Sequence, residues 1–177
     1  MKNNIVIIGA GGHGRVVLDT ILKQGAYHVL GFIDDHIPEG TIFNGVKVIG
    51  NTKNTEWISA GAEFFIVALG NNTLRKNLYD NFKSLLKPAT VVHPSAVIAD
   101  SVAIGLGCMV LANTVIGSNA VIGENCIINV MSLVDHDSQL ADHVHVSQGT
   151  IIGSNVKVPT LHITKLGERI FSNTSLS

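Results

Sequence analysis

The chain is short of charge, of aromatic rings and of proline. Charged residues make up 14% and aromatics 5% of its 177 residues, and prolines number 4. With 46% hydrophobic residues, so little charge excludes wholesale disorder. Few prolines beside 18 glycines exclude a collagen or a proline-rich linker. The net charge is −1 and no basic patch stands out, so nucleic acid is not expected as the main partner. No apolar run approaches the roughly 18 residues of a membrane span. The run Ile5–Ile8 meets glycines at once, and so reads as a strand and not a signal peptide. Two cysteines without a secretion signal point to a reducing, cytoplasmic setting.

What is present falls into two halves. Up to Pro88, apolar runs and helical patterns alternate. Ile5–Ile8, Val29–Ile33, Val46–Ile49 and Phe64–Leu69 read as strands. Arg15–Lys23, Thr52–Ala60 and Thr73–Leu86 read as helices. Alternating β and α predicts a small α/β, Rossmann-like domain over residues 1–88, wound on a parallel sheet.

From Val92 the grammar changes to a repeat of six. Val92, Ile98, Ile104, Val110, Ile116, Ile122, Ile128, Val134, Leu140, Val146, Ile152 and Val158 are all aliphatic. The fifth position of each unit is small or β-branched, from Ala96 through Cys108, Cys126 and Thr150 to Val156. A period of six is neither 3.6 nor 2, so it predicts a three-sided β-solenoid over residues 89–158, with one short face per unit. Glycines at the second position (Gly105, Gly117, Gly123 and Gly153) mark a turn or a close approach. Three units make a coil of 18 residues, so Cys108 and Cys126 should stack in adjacent coils, facing inward. Two small buried residues are the expected reading, rather than a disulfide.

Several strings together carry a resemblance. They are the turn Gly9-Ala10-Gly11-Gly12-His13-Gly14, the later Gly70-Asn71-Asn72, the hexads, Val134-Asp135-His136-Asp137 and His143-Val144-His145-Val146-Ser147. Over residues 1–158 the chain resembles bacterial sugar acetyltransferases of the sialic acid O-acetyltransferase and UDP-4-amino-sugar N-acetyltransferase type. The resemblance implies a left-handed parallel β-helix, a homotrimer, and acetyl-CoA bound between neighbouring subunits. It also implies a nucleotide-linked or sialic-acid-type sugar as acceptor, in surface polysaccharide or glycan synthesis.

The residues themselves suggest roles. Gly11, Gly12, His13 and Gly14 follow a strand and open a helix, where backbone N–H groups approach a phosphate. Asp34 and Asp35 end the second strand, where a carboxylate holds a ribose or base. Gly70, Asn71, Asn72 and Arg75 close a later βα turn and offer amides and a guanidinium to uracil, sugar or phosphate; a helix cap is the competing reading. His136 is the expected general base. By resemblance Asp135 is its acidic partner, with Asp137 as second candidate. By resemblance also, His145 meets the acetyl-CoA thioester oxygen. Asn129 reads as a hydrogen-bond partner of the sugar nucleophile, or as a turn asparagine in a ladder. Gly153 and Gly149 read as room for the pantetheine arm. The trio His136, His143 and His145 also permits zinc shared between subunits, but no metal is expected.

After Val158 the aliphatic phase lapses. Residues 159–177 therefore read as an atypical tail, with Leu166–Phe171 out of register. The alternative function follows from it: a nucleotide-sugar-binding or assembly protein that lacks its terminal coils and is catalytically impaired.

Overall fold

The computed structural model of the chain describes residues 2–176. It divides into two compact units, meeting between Ala89 and Thr90.

In the first unit β1 (Asn3–Ile8), α1 (Gly12–Gln24), β2 (Tyr27–Ile33), β3 (Ile42–Phe43), β4 (Val46–Gly50), β5 (Phe64–Val67), α2 (Asn72–Phe82) and β6 (Lys87–Pro88) follow one another. The sheet order is β3-β4-β2-β1-β5-β6. All its pairings are parallel except β3 with β4. Ile5 to Ile8 are buried, as a strand covered on both faces requires. The stretch expected as a helix from Thr52 narrows to a short 3-10 turn, Glu56–Ala60, which buries Trp57. The two-residue strands β3 and β6 carry too little apolar pattern to be read from sequence.

The second unit is the solenoid. Its strands are two residues long and pair with residues 18 further on, as Met109–Val110 does with Ile127–Ile128. Three parallel sheets result. The hexad aliphatics point inward: Val110, Ile116, Ile128, Val134, Val146 and Ile152 are essentially inaccessible. Each such side chain contributes about 1.5–3 kcal/mol by leaving water. From Gly107 on, the chain turns through the left-handed region at the fourth position of each unit. Gly107, Asn113, Asn119, Asn125, Met131, Asp137, His143, Gly149, Asn155, Leu161, Gly167 and Asn173 all have φ between 54° and 76°. An ordinary residue pays roughly 1–2 kcal/mol there, and asparagine, aspartate and glycine pay less. Their prevalence at this position is a corner signal readable beside the aliphatic one.

The solenoid does not stop at Val158. Arg169–Ile170 pairs with Ile151–Ile152, and bridges join Ile163 to His145 and Ser175 to Lys157. The expected tail is therefore another coil. Its phase is hidden because Thr164 stands where an aliphatic belongs. The Thr164 hydroxyl meets Thr150 Oγ1 at 2.9 Å and accepts from the Ser147 N–H at 2.8 Å, which satisfies it inside the core. Ile170 is buried in phase, whereas Leu166 and Phe171 of the supposed shifted unit face outward, 76% and 80% exposed.

Cys108 and Cys126 are both free and buried. They stack in neighbouring coils, and the Cys126 N–H donates to Cys108 Sγ at 3.4 Å.

Candidate functional site

The glycine turn between β1 and α1 is built by two close approaches. Gly9 has φ 103°, and a Cβ there would lie 2.7 Å from the Leu69 side chain. A Cβ on Gly14 would overlap the Gly9 carbonyl oxygen. Those two glycines are demanded by packing. Gly11 and Gly12 are not: a Cβ on either would meet nothing. The open side of the turn, at the start of α1, is thus the side that a ligand can approach.

Asp34 ties this turn down. Its Oδ2 accepts from the Ala10 N–H at 2.8 Å, and its Oδ1 from the His36 and Ile37 N–H groups at 2.9 and 3.0 Å. Burial pushes the Asp34 carboxyl up, but these hydrogen bonds together outweigh it and hold its pKa below the ordinary value. Asp35 accepts from the Thr52 N–H and hydroxyl at 2.8–2.9 Å. Both carboxylates, expected to hold ligand, are spent on the protein's own donors, although they still line space. A cleft of about 80 Å³ at the strand ends is bounded by Ile8, Gly9, Ile33, Asp34, Leu69 and Leu74. A neighbouring cavity of about 280 Å³ shares Asp34, Asp35 and His36 and adds Asn51 and Lys53. His13 lies within α1, two residues past its cap, Gly11.

At the next βα turn Asn71, not Asn72, is the helix cap. Its Oδ1 accepts from the Leu74 N–H at 2.9 Å. Gly70 precedes it and Asn72 is the first residue of α2, 8% exposed. Arg75 corrects the expectation. It is fully buried and donates from Nη1 to the Leu69 carbonyl at 3.0 Å, so it braces the loop from within and presents no guanidinium to a solute.

In the solenoid His136 and Asp137 stand at an exposed corner. His136 Nδ1 meets Asp137 Oδ2 at 2.7 Å. Asp135, the partner expected by resemblance, instead accepts from the His136 backbone N–H through Oδ1 at 2.7 Å. The left-handed turn at Asp137 brings its carboxylate to the ring, and Asp135 lies on the strand side of that turn. The Asp137 hydrogen bond is the chief cause raising the His136 pKa; desolvation opposes it, and the charges of Asp135 and Asp137 add to it. The same bond, and then one from Asn119, lowers Asp137. With Nδ1 turned to Asp137, Nε2 is the nitrogen left to exchange protons with a substrate. Gly117 lies under this turn: a Cβ there would sit 2.7 Å from the His136 backbone nitrogen.

His145 and Asn129 form one buried pair. Asn129 Nδ2 meets His145 Nε2 at 3.1 Å, while Asn129 Oδ1 accepts from the Val130 N–H at 2.9 Å. Asn129 is 4% exposed, so its amide orients a histidine, where the sequence suggested a sugar contact. His143 pairs with Asn125 across one coil at 2.9 Å. Among the described residues no three His, Cys, Asp or Glu side chains gather as a metal cage. Gly153 leaves no room for a pantetheine arm on its Cβ side, because Ser172 N and Oγ lie 2.7 Å from that position. It is glycine for the same reason as Gly105 and Gly117: the next coil passes too close for a side chain.

Residues 4–82 match the family described as the PglD N-terminal domain. A UDP-N-acetylbacillosamine N-acetyltransferase of Bacillus subtilis is 31% identical over 112 residues, which are 52% of this chain and 47% of that protein. The matched part is thus about half the length of this curated relative. Among solved structures, the acetyltransferase domain of PglB from Neisseria gonorrhoeae, in complex with acetyl coenzyme A, is 31% identical. Its superposition covers 99% of this chain and 88% of that one, with a TM-score of 0.78. A histidine-to-asparagine mutant of perosamine N-acetyltransferase from Caulobacter crescentus, in complex with CoA and GDP-perosamine, is 28% identical. It covers 98% of this chain and 82% of that one, with a TM-score of 0.93. The solenoid is the left-handed parallel β-helix that the resemblance implied.

Proposed function

Because the chain belongs to the hexapeptide-repeat sugar acetyltransferases, we propose that it moves an acetyl group from acetyl-CoA to an amino or hydroxyl group of a nucleotide-linked or sialic-acid-type sugar. The observation that carries this reading is the exposed His136–Asp137 pair, 2.7 Å apart at a solenoid corner. In the proposed step His136 Nε2 takes the proton of the attacking amine or hydroxyl. The nucleophile forms its bond to the thioester carbonyl carbon, the C–S bond breaks, and coenzyme A leaves as a thiolate that recovers a proton. Asp137 stabilises the imidazolium that exists between those events. His145, whose Nε2 accepts from the Asn129 amide, donates from Nδ1 to the carbonyl oxygen as charge builds on it. The reading gives the sugar's nucleotide to the open side of Gly11 and Gly12 and to the apolar cleft beside Leu69 and Leu74.

The same reading includes a homotrimer in the cytoplasm, with acetyl-CoA between subunits. A column of outward aliphatics, Val97, Val115, Leu133 and Ile151, runs along one solenoid sheet and supports the assembly. Among the described residues no helix is long and apolar enough to cross a membrane.

The test is thiol release from acetyl-CoA with a panel of UDP- and GDP-linked amino sugars, alongside sialic acids. Turnover with one acceptor, lost in His136→Ala, is expected. Binding of a nucleotide sugar by a folded protein with no release across the panel would favour a binding protein instead. Full rate in His136→Ala would remove the mechanism.

A further inference from the structure

We infer that Asn119, one coil away from His136, is a positioning residue that holds Asp137 in the orientation that fixes the His136 ring. This inference rests on the proposed role of His136. Asn119 and Asp137 occupy the same corner of successive coils, each in the left-handed region at φ 59°. Asn119 Nδ2 donates to Asp137 Oδ1 at 3.2 Å, and Asp137 Oδ2 faces His136 Nδ1 at 2.7 Å. The carboxylate is gripped at both oxygens. Asn119 is itself fixed from the coil before, because its backbone N–H donates to Ser101 Oγ at 2.9 Å.

The same corner further along shows what the ladder does when no histidine is attached. Asn155 Nδ2 donates to Asn173 Oδ1 at 2.9 Å, amide to amide. At Asn119 the repeating ladder bond lands on a carboxylate, and that carboxylate is the ring's partner. Without it Asp137 keeps only its bond to the His136 ring, its last torsion, which is broad for a carboxylate, is held at one oxygen alone, and the preference for the Nδ1–H tautomer weakens. The charged groups acting on the His136 ring are Asp135 and Asp137. The stacked positions in the coils on either side are Ser118 and Ser154, which carry no charge.

The experiment is ¹⁵N NMR of the His136 ring nitrogens across pH, on the full chain and without ligand. Asn119→Gly removes the amide while suiting the left-handed backbone. Asn113→Gly makes the same change at a corner not attached to His136. In the parent the Nδ1–H tautomer should dominate. In Asn119→Gly its ratio to Nε2–H should fall about threefold to tenfold, the worth of one hydrogen bond. Asn119→Asp, which sets a second carboxylate beside Asp137, should raise the midpoint of the ring titration. Asn113→Gly should leave both unchanged. Ring signals in Asn119→Gly that superimpose on the parent's, or an equal change in Asn113→Gly, would overturn the inference. With an active acceptor in hand, Asn119→Gly should lower kcat and leave KM for acetyl-CoA in place. An inactive parent whose ring still responds to Asn119 would end the functional reading and support the positioning. An active parent whose ring ignores Asn119 would end the positioning alone.

Discussion

Replacing Gly117 by alanine places a methyl group 2.7 Å from the backbone nitrogen of His136, 3.1 Å from the Asp135 carbonyl carbon and 3.3 Å from the His136 Cα. All three are main-chain atoms, so no flexible side chain can swing aside. Overpacking of this kind costs about 1–3 kcal/mol. The gain from a less floppy unfolded chain returns about 0.4–1 kcal/mol. A net loss of about 1–2 kcal/mol is expected, which for a chain of this size lowers Tm by roughly 2–8 °C. Gly105→Ala makes a matched clash elsewhere, 2.7–2.8 Å from Gly123 and Glu124 main-chain atoms. The two variants should therefore lose similar stability, and only Gly117→Ala should lose acetyl transfer, because the atom it pushes belongs to the proposed base. A base displaced by a few tenths of an ångström to 1 Å loses rate by up to about 100-fold. Scanning calorimetry and thiol release on both variants decide it. Equal rates in the two, or no change in Tm for either, would refute the reasoning.

Asp137→Asn should lower the rate and move the acid limb of the pH–rate profile to lower pH. The neutral histidine is the active form, so the raised His136 pKa places the parent's limb above the ordinary imidazole value of 6.5, and removing the carboxylate takes that support away. Asp34→Asn should destabilise the first unit by about 1–3 kcal/mol in urea melts at neutral pH, since three backbone donors lose a charged acceptor. In the parent the Asp34 contribution is present above the ordinary carboxyl value of 3.8 and fades as pH falls through the lowered folded value, so the two melts should converge in acid. Neither Cys108 nor Cys126 should react with a thiol reagent in the native state, and both should react in denaturant; a native disulfide by mass spectrometry would contradict the packing.

Hydrophobic period by itself determined the division into an α/β half and a three-sided coil, though not the hand of that coil. Strands covered on both faces need continuous apolar runs, and Ile5–Ile8 supplies one; a three-sided coil needs one inward aliphatic every six residues, and Val92 to Val158 supply them. These are demands of each segment on its own residues, so they survive in one dimension. The corner signal was also there, in the asparagine, aspartate and glycine that hold most fourth positions from Gly107 on, and it resumes at Gly167 and Asn173, beyond the point where the aliphatic signal is broken by Thr164.

What only the tertiary structure decided are relations between residues far apart in the chain. Side chains 18 apart lie one strand spacing apart in space, so Asn119 reaches Asp137, and Thr164 finds its hydroxyl partners. Whether Asp135 or Asp137 faces the imidazole depends on one left-handed dihedral, and whether Arg75 meets solvent depends on the loop folded around it. The sequence names which groups are available; the direction in which each points is fixed by backbone torsions and by neighbours that only the folded chain brings within hydrogen-bond reach.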